Sequence, residues 1–364
     1  MFNRILVPLD GSALAERAIP HAEQFARIFG SNIFLLQVLD PSSYHENHNP
    51  IDPLGWQIRK TEADMYMNKI AARIRENLEE NTRDAQDAHN AITQSNTRIK
   101  NRVEYSIQEG KTAENIVNFA HAKKIDLLVI STHGSGGLSR WNISSVIEKV
   151  VNLIYLSVLI VRAYDFPETE RTRIHYHRIL LPIDSSRRAE SSLSAGIALA
   201  RGDKPMGLST DSEGPSLHQA KSEASVTQTK LILAAVIKPP EFPIPKPYPT
   251  VIEKLSAQLM DISREAVKNY LSEMKERLDV ECEICVVEND SVSFAIQELA
   301  IQEEIDLVVL CAHGYTGQSI WPYGSITRNY MEHGTKPVLV IQDVHRSQIM
   351  PTAAEIAAEN SGDR

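Results

Sequence analysis

Two stretches of this 364-residue chain concentrate groups that can hold an anion. Residues 131–146 read STHGSGGLSRWNISSV and residues 311–326 read CAHGYTGQSIWPYGSI. Each keeps a His-Gly pair, a further Gly, a Trp and a closing Ser at the same spacing. Gly134 and Gly314, followed by Gly137 and Gly317, let the backbone approach an oxyanion without a Cβ in the way. Ser144 and Ser145, and in the second stretch Gly324, Ser325 and Ile326, lead into helical patterns. A Ser or Gly there leaves N–H donors beside the positive end of a helix dipole, and a hydroxyl adds one more. The chemistry offered is phosphate binding by backbone amides. Neither G-x-x-x-x-G-K-[ST] nor G-x-G-x-x-G occurs, so no P-loop lysine is supplied. A plain turn followed by an N-cap is the alternative reading of either loop.

Carboxylates stand at the ends of two apolar runs, where Pro8, Leu9 and Asp10 match Pro182, Ile183 and Asp184. Either Asp serves equally well as a helix cap. General acid–base work needs a second titratable group in reach, and only His133 and His313 qualify. Both are expected as solvated loop side chains. No Ser-His-Asp order, H-E-x-x-H or dense acidic cluster appears, so no catalytic residue and no protein-built metal site is assigned. Magnesium carried on a phosphate would need few protein ligands. Ser131 and Cys311 end the runs that enter the loops, and Cys311 is read as a buried, inert thiol, redox sensitivity being the alternative. Cys282 and Cys285 lie in VECEICVV, a strand pattern in which odd separation sends the thiols to opposite faces.

The elements that position these residues also come twice. ILVPLDGSALAERAIPHAEQFAR (5–27) aligns without a gap to ILLPIDSSRRAESSLSAGIALAR (179–201). IFLLQVLDP (33–41) matches LILAAVIKP (231–239), IDLLVISTHG (125–134) matches IDLVVLCAHG (305–314), and SVLIVRA (157–163) matches PVLVIQD (337–343). Blocks recur in order while the connections change length, which marks a duplicated domain. Short runs that are apolar throughout alternate with helical patterns, so the strands are buried on both faces of a parallel sheet. Each half is predicted to be a doubly wound α/β domain with a five-stranded parallel sheet, the first over 1–165 and the second over 166–343. In such a sheet ligands bind at the carboxyl ends of the strands. The first strands end at Asp10 and Asp184, the second at Val38 and Val236, and the fourth in the glycine loops. Three strand ends therefore converge on one crevice in each half.

Polar segments at 81–98 and 202–230 are unshared, the latter read as a flexible insertion, and 344–364 as a frayed tail. The connections 40–56 and 238–250 emerge on the ligand side as spacers, a lid or a partner surface being the alternatives. A net charge of −9 argues against a nucleic-acid partner. No apolar run approaches a membrane span, and the opening MFNRILVPLD shows no signal-peptide core. Three cysteines give no disulfide framework, so a cytoplasmic setting is expected.

Taken together, the acidic strand end, the second-strand Val and the loop resemble the universal stress protein family in its tandem, two-domain form. The resemblance covers nearly everything from residue 2 to 343. It implies a Rossmann-like, adenine nucleotide alpha hydrolase-like fold and a stress-response regulator or interaction protein with an adenine nucleotide, ATP or AMP, as ligand. Nucleotide-binding members carry a G-x-x-G-x9-G-[ST] loop, with the Asp and Val flanking adenine and ribose. Carried over, this implicates Asp10, Val38, Gly134 and Ser145 in one half, and Asp184, Val236, Gly314, Gly324 and Ser325 in the other. The first loop Gly is Ser131 or Cys311 here, and the later Gly survives as Gly324 but is Ser144 in the first half. By that count the second half is expected to be the better ATP site. The family's pairing through last strands implies an internal pseudo-dimer, with 158–162 antiparallel to 338–342; a homodimer and unidentified protein partners are further expectations. A slow ATPase or phosphoryl-transfer enzyme, and a nucleotide-free scaffold, are the rival functions.

Overall fold

The computed structural model describes residues 1–41, 53–86, 102–134, 143–163, 174–202, 229–315 and 321–344. The insertion (203–228), the tail (345–364), residues 87–98 of the polar extension, 42–52 of the first connection, the 165/166 boundary, Gly137 and Gly317 lie outside them.

In the first half, strands β1 (Arg4–Leu9), β2 (Asn32–Leu39), β3 (Val103–Glu109), β4 (Leu127–Ser131) and β5 (Ser157–Val161) alternate with helices. These are α1 (Ala13–Glu16), α2 (Ala18–Phe29), α3 (Pro53–Gln86), α4 (Thr112–Ala122) and α5 (Ser145–Leu153). The second half repeats the pattern with β6 (Arg178–Pro182), β7 (Lys230–Ile237), β8 (Cys282–Glu288), β9 (Leu307–Cys311) and β10 (Val338–Ile341). Its helices are α6 (Ser191–Gly202), α7 (Thr250–Glu276), α8 (Val292–Gln302) and α9 (Ser325–His333). The second strands run one residue past Val38 and Val236.

All ten strands form one sheet in the order β3-β2-β1-β4-β5-β10-β9-β6-β7-β8. Within each half every pairing is parallel. Strand β5 meets β10 antiparallel, Ile160 opposite Val338 and Val158 opposite Val340. Two edges that would otherwise stand open thus close on each other.

The central strands β4, β5, β9 and β10 are buried along their whole length because helices cover both faces. Alternate residues divide between two cores: Leu159 and Leu339 join one, Val158 and Val340 the other. Each core therefore spans both halves. Cys282 and Cys285 fall on opposite faces, one within the first core and the other against the second.

Polar contacts reinforce the join. Buried Arg162 donates to the carbonyls of Tyr330 (2.6 Å), Met331 (2.9 Å) and Lys336 (3.2 Å), so a first-half side chain satisfies the carboxyl end of second-half helix α9. Tyr323 Oη donates to Leu156 O at 2.7 Å. No described helix is long and apolar enough to cross a membrane.

Candidate functional site

Strand order reverses beside β1 in the first half and β6 in the second, and there the sequence-predicted residues gather. After β1 the chain turns sharply: Gly11 takes φ +83°, and Asp10 Oδ1 accepts from Ser12 N at 2.9 Å. Ser12, not Asp10, caps α1, accepting from Ala15 N at 3.1 Å. The second half repeats this with Ser186 N to Asp184 Oδ1 at 3.0 Å and Ala189 N to Ser186 Oγ at 3.1 Å. Ser185 adopts the left-handed φ of 63° there. Neither Asp is the helix cap, so each keeps its other oxygen for the loop.

That second oxygen meets the loop glycine. A Cβ on Gly134 would lie 2.0 Å from Asp10 Oδ2, and one on Gly314 2.3 Å from Asp184 Oδ2. Glycine is required at both positions by this approach, since their φ values are unexceptional. In the second half the amide of Tyr315 also donates to Asp184 Oδ2 at 2.7 Å. The amide after Gly314 is therefore paired with the strand-end carboxylate.

Among the described residues, a backbone bond returns each loop to its strand end, Ser144 N to Thr132 O (3.0 Å) and Gly324 N to Ala312 O (2.8 Å). Ser144 then caps α5, its Oγ accepting from Ile147 N at 3.4 Å, whereas Gly324 gives α9 no side-chain cap. The amides of Ser145 and Val146 open α5 with no intrahelical acceptor.

The histidines are not solvated. His133 is 6% exposed, with Nδ1 3.1 Å from Thr132 Oγ1. His313 is 1% exposed, with Nδ1 2.6 Å from Asp343 Oδ1 and Nε2 2.8 Å from Trp321 O. The bond to Asp343 raises the His313 pKa against the opposing effect of burial. Arg188 completes the group, its Nε 3.6 Å from Asp343 Oδ2. Both histidines face groups that fix the loop, and the second-half loop is tied to the end of β10. Cys311 accepts from Ser191 Oγ at 3.4 Å, and burial pushes its thiol pKa up, as fits an inert cysteine.

A cleft of about 1050 Å³ lies over the first half. Its lining includes Pro8, Leu9, Asp10 and Val38 from the strand ends, and Ser131, His133, Gly134, Ser144 and Ser145 from the loop. Every described first-half candidate borders this one space. The sequence reading had not singled out Gln37, Arg59, Tyr66 or Ile116, which also line it. Tyr66 Oη donates to Glu16 Oε1 (3.2 Å), and Tyr270 Oη to Glu190 Oε1 (2.8 Å) in the other half. Burial, then the neighbouring Glu, raises both phenol pKa values. Aligning the two long helices on these tyrosines would have revealed the pair. Among the described residues no group of three His, Cys, Asp or Glu side chains is placed to hold a metal ion.

Comparison with known proteins agrees with this geometry. The model of the universal stress protein family matches residues 1–162 and 205–342. Universal stress protein MJ0531 of Methanocaldococcus jannaschii is 28% identical over 162 residues, 44% of this chain and 83% of that protein. A functionally unknown protein of Pseudomonas aeruginosa PAO1, PA1789, shares the fold with a TM-score of 0.56 at 14% identity, over 93% of this chain and 92% of its own. A putative universal stress protein of Pseudomonas aeruginosa UCBPP-PA14 superposes equally well, with a TM-score of 0.56 at 14% identity over 93% of each chain. With its doubled strand-end Asp and glycine loop, and with the family's model matching both halves, the chain belongs to the universal stress protein family.

Proposed function

We propose that this protein binds an adenine nucleotide in the first-half cleft and that occupancy of the cleft sets its interactions with partners in a stress response. The observation that carries the reading is the single space of about 1050 Å³ bordered by every described first-half candidate. Such a volume accommodates a nucleotide. Phosphates lie over Gly134 and the start of α5, where the amides of Ser145 and Val146 and the helix dipole favour negative charge. The base lies at the end of β2, against Val38 and Ile116, which line the same cleft. Asp10 stands between these regions, at the end of β1. Magnesium on the phosphates would complete their neutralisation with few protein ligands.

The motif count favours the second half, but the cleft of about 1050 Å³ is bordered by first-half residues. We assign the second half the weaker affinity.

Calorimetric titration of the full chain with ATP and magnesium tests this. The expected result is one dominant site, lost in Gly134→Val and kept in Gly324→Val. No heat and no change in melting temperature at millimolar nucleotide would overturn it.

A further inference from the structure

One buried position at which the two halves differ, outside the motif, lines the first-half cleft. Gln37 stands on β2, opposite Leu9 of β1, and lines the first-half cleft. It is only 9% exposed, and its Oε1 has no hydrogen-bond partner among the described residues. The amide lies under the turn after Asp10, Nε2 being 4.0 Å from where a Cβ on Gly11 would stand. A buried, unpaired amide oxygen costs about 1–3 kcal/mol, which an apolar residue at the site would avoid. The second half avoids it: Pro8 pairs with Leu36 and Pro182 with Ala234, so the counterpart of Gln37 is Ala235. Ser131, on the far side of β1, is likewise buried with no partner for its Oγ among the described residues and lines the same cleft. Its counterpart Cys311 has the Ser191 hydroxyl as partner.

Resting on the nucleotide reading above, we infer that Gln37 is a specificity-determining residue of the first-half cleft, its Oε1 accepting a hydrogen bond from a donor on the sugar or base. Phosphate is excluded as that partner, because its oxygens are acceptors too. Position agrees: β2 lies across β1 from β4, away from the helix start that faces the phosphates. Two groups on an adenine nucleotide supply the chemistry, a ribose hydroxyl or the exocyclic amine. The second half, with Ala235, cannot make this choice.

The test is calorimetry on the full chain with magnesium and four ligands: ATP, its 2′-deoxy and 3′-deoxy analogues, and purine riboside triphosphate, which lacks the exocyclic amine. Gln37→Ala is expected to fold, since Ala fills this position in the other half; Gln37→Met keeps the volume without the amide. Either variant is expected to weaken ATP binding about tenfold, the size of one hydrogen bond to a buried group. One analogue is expected to lose the same factor against the wild type and nothing more against the variants, and that analogue identifies the donor. If both variants bind ATP within twofold of the wild type, a buried water satisfies Oε1 and the inference fails. If they weaken all four ligands equally, Gln37 only shapes the cleft and the inference again fails. Absence of any ATP binding to the wild-type chain would instead remove the nucleotide reading on which it rests.

Discussion

Gly134 abuts the carboxylate of Asp10 so closely that a methyl group on it would sit 2.0 Å from Oδ2. The strand-end acid and the loop are therefore one unit, and the loop's position over the cleft depends on the missing side chain.

Gly134→Ala is expected to destabilise the protein by about 1–3 kcal/mol, the usual cost of overpacking. In an Asp10→Ala background the same change should cost less than about 1 kcal/mol, because the obstructing carboxylate is gone. Urea unfolding of the wild type, the two single variants and the double variant measures the coupling. Equal costs in both backgrounds would mean that the contact does not restrain the loop.

His313 makes stability depend on pH. Nε2 faces a carbonyl and must donate, and Nδ1 donates to Asp343, so the folded state favours the imidazolium. Its folded pKa is raised above the unfolded value near 6.5. The stabilisation is thus complete below about pH 6.5 and is lost as pH rises through the folded value. The stability difference between wild type and His313→Gln should shrink from pH 6 to pH 9 in chemical denaturation. A difference that stays flat or grows would show that His313 is neutral in the folded protein.

Arg162→Met should cost about 2–4 kcal/mol, since it strips buried carbonyls at the end of α9 of their donor across the join. Calorimetry is expected to show a lower melting temperature. An unchanged melting temperature would mean that the apolar β5–β10 pairing alone sets the strength of the join.

The Ser144 cap makes a smaller prediction. Ser144→Ala should lose about 1 kcal/mol and Ser144→Gly a few tenths, because both remove the side-chain cap of the α5 amide but only Ala also disfavours the cap conformation. Thermal melts check this; melting temperatures of both variants equal to the wild type's would show that the 3.4 Å bond to Ile147 carries no weight.

Strands were legible because runs such as residues 127–130 and 307–311 are apolar throughout, which a sheet covered on both faces explains. The crevice was legible because Asp10, Val38 and Gly134 close strands that topology brings together. What stayed hidden depends on partners distant in the chain. His313 reads as a loop histidine until Asp343, on another strand end, is seen at 2.6 Å. Gln37 reads as one polar interruption in an apolar run, and nothing local shows that its amide oxygen lies beside a cleft with no partner among the described residues. Counting motif residues favours the second half because Gly324 survives there, yet the count is blind to the space beside each strand end, and the cleft of about 1050 Å³ is lined by first-half residues.

The central claim is that a nucleotide occupies the first-half cleft, and a crystal structure of the full chain soaked with ATP and magnesium tests it most directly. The account predicts phosphate density between Gly134 and the start of α5, with the base beside Val38. A cleft still empty at saturating ATP, or a nucleotide seated over Asp184 alone, would contradict it.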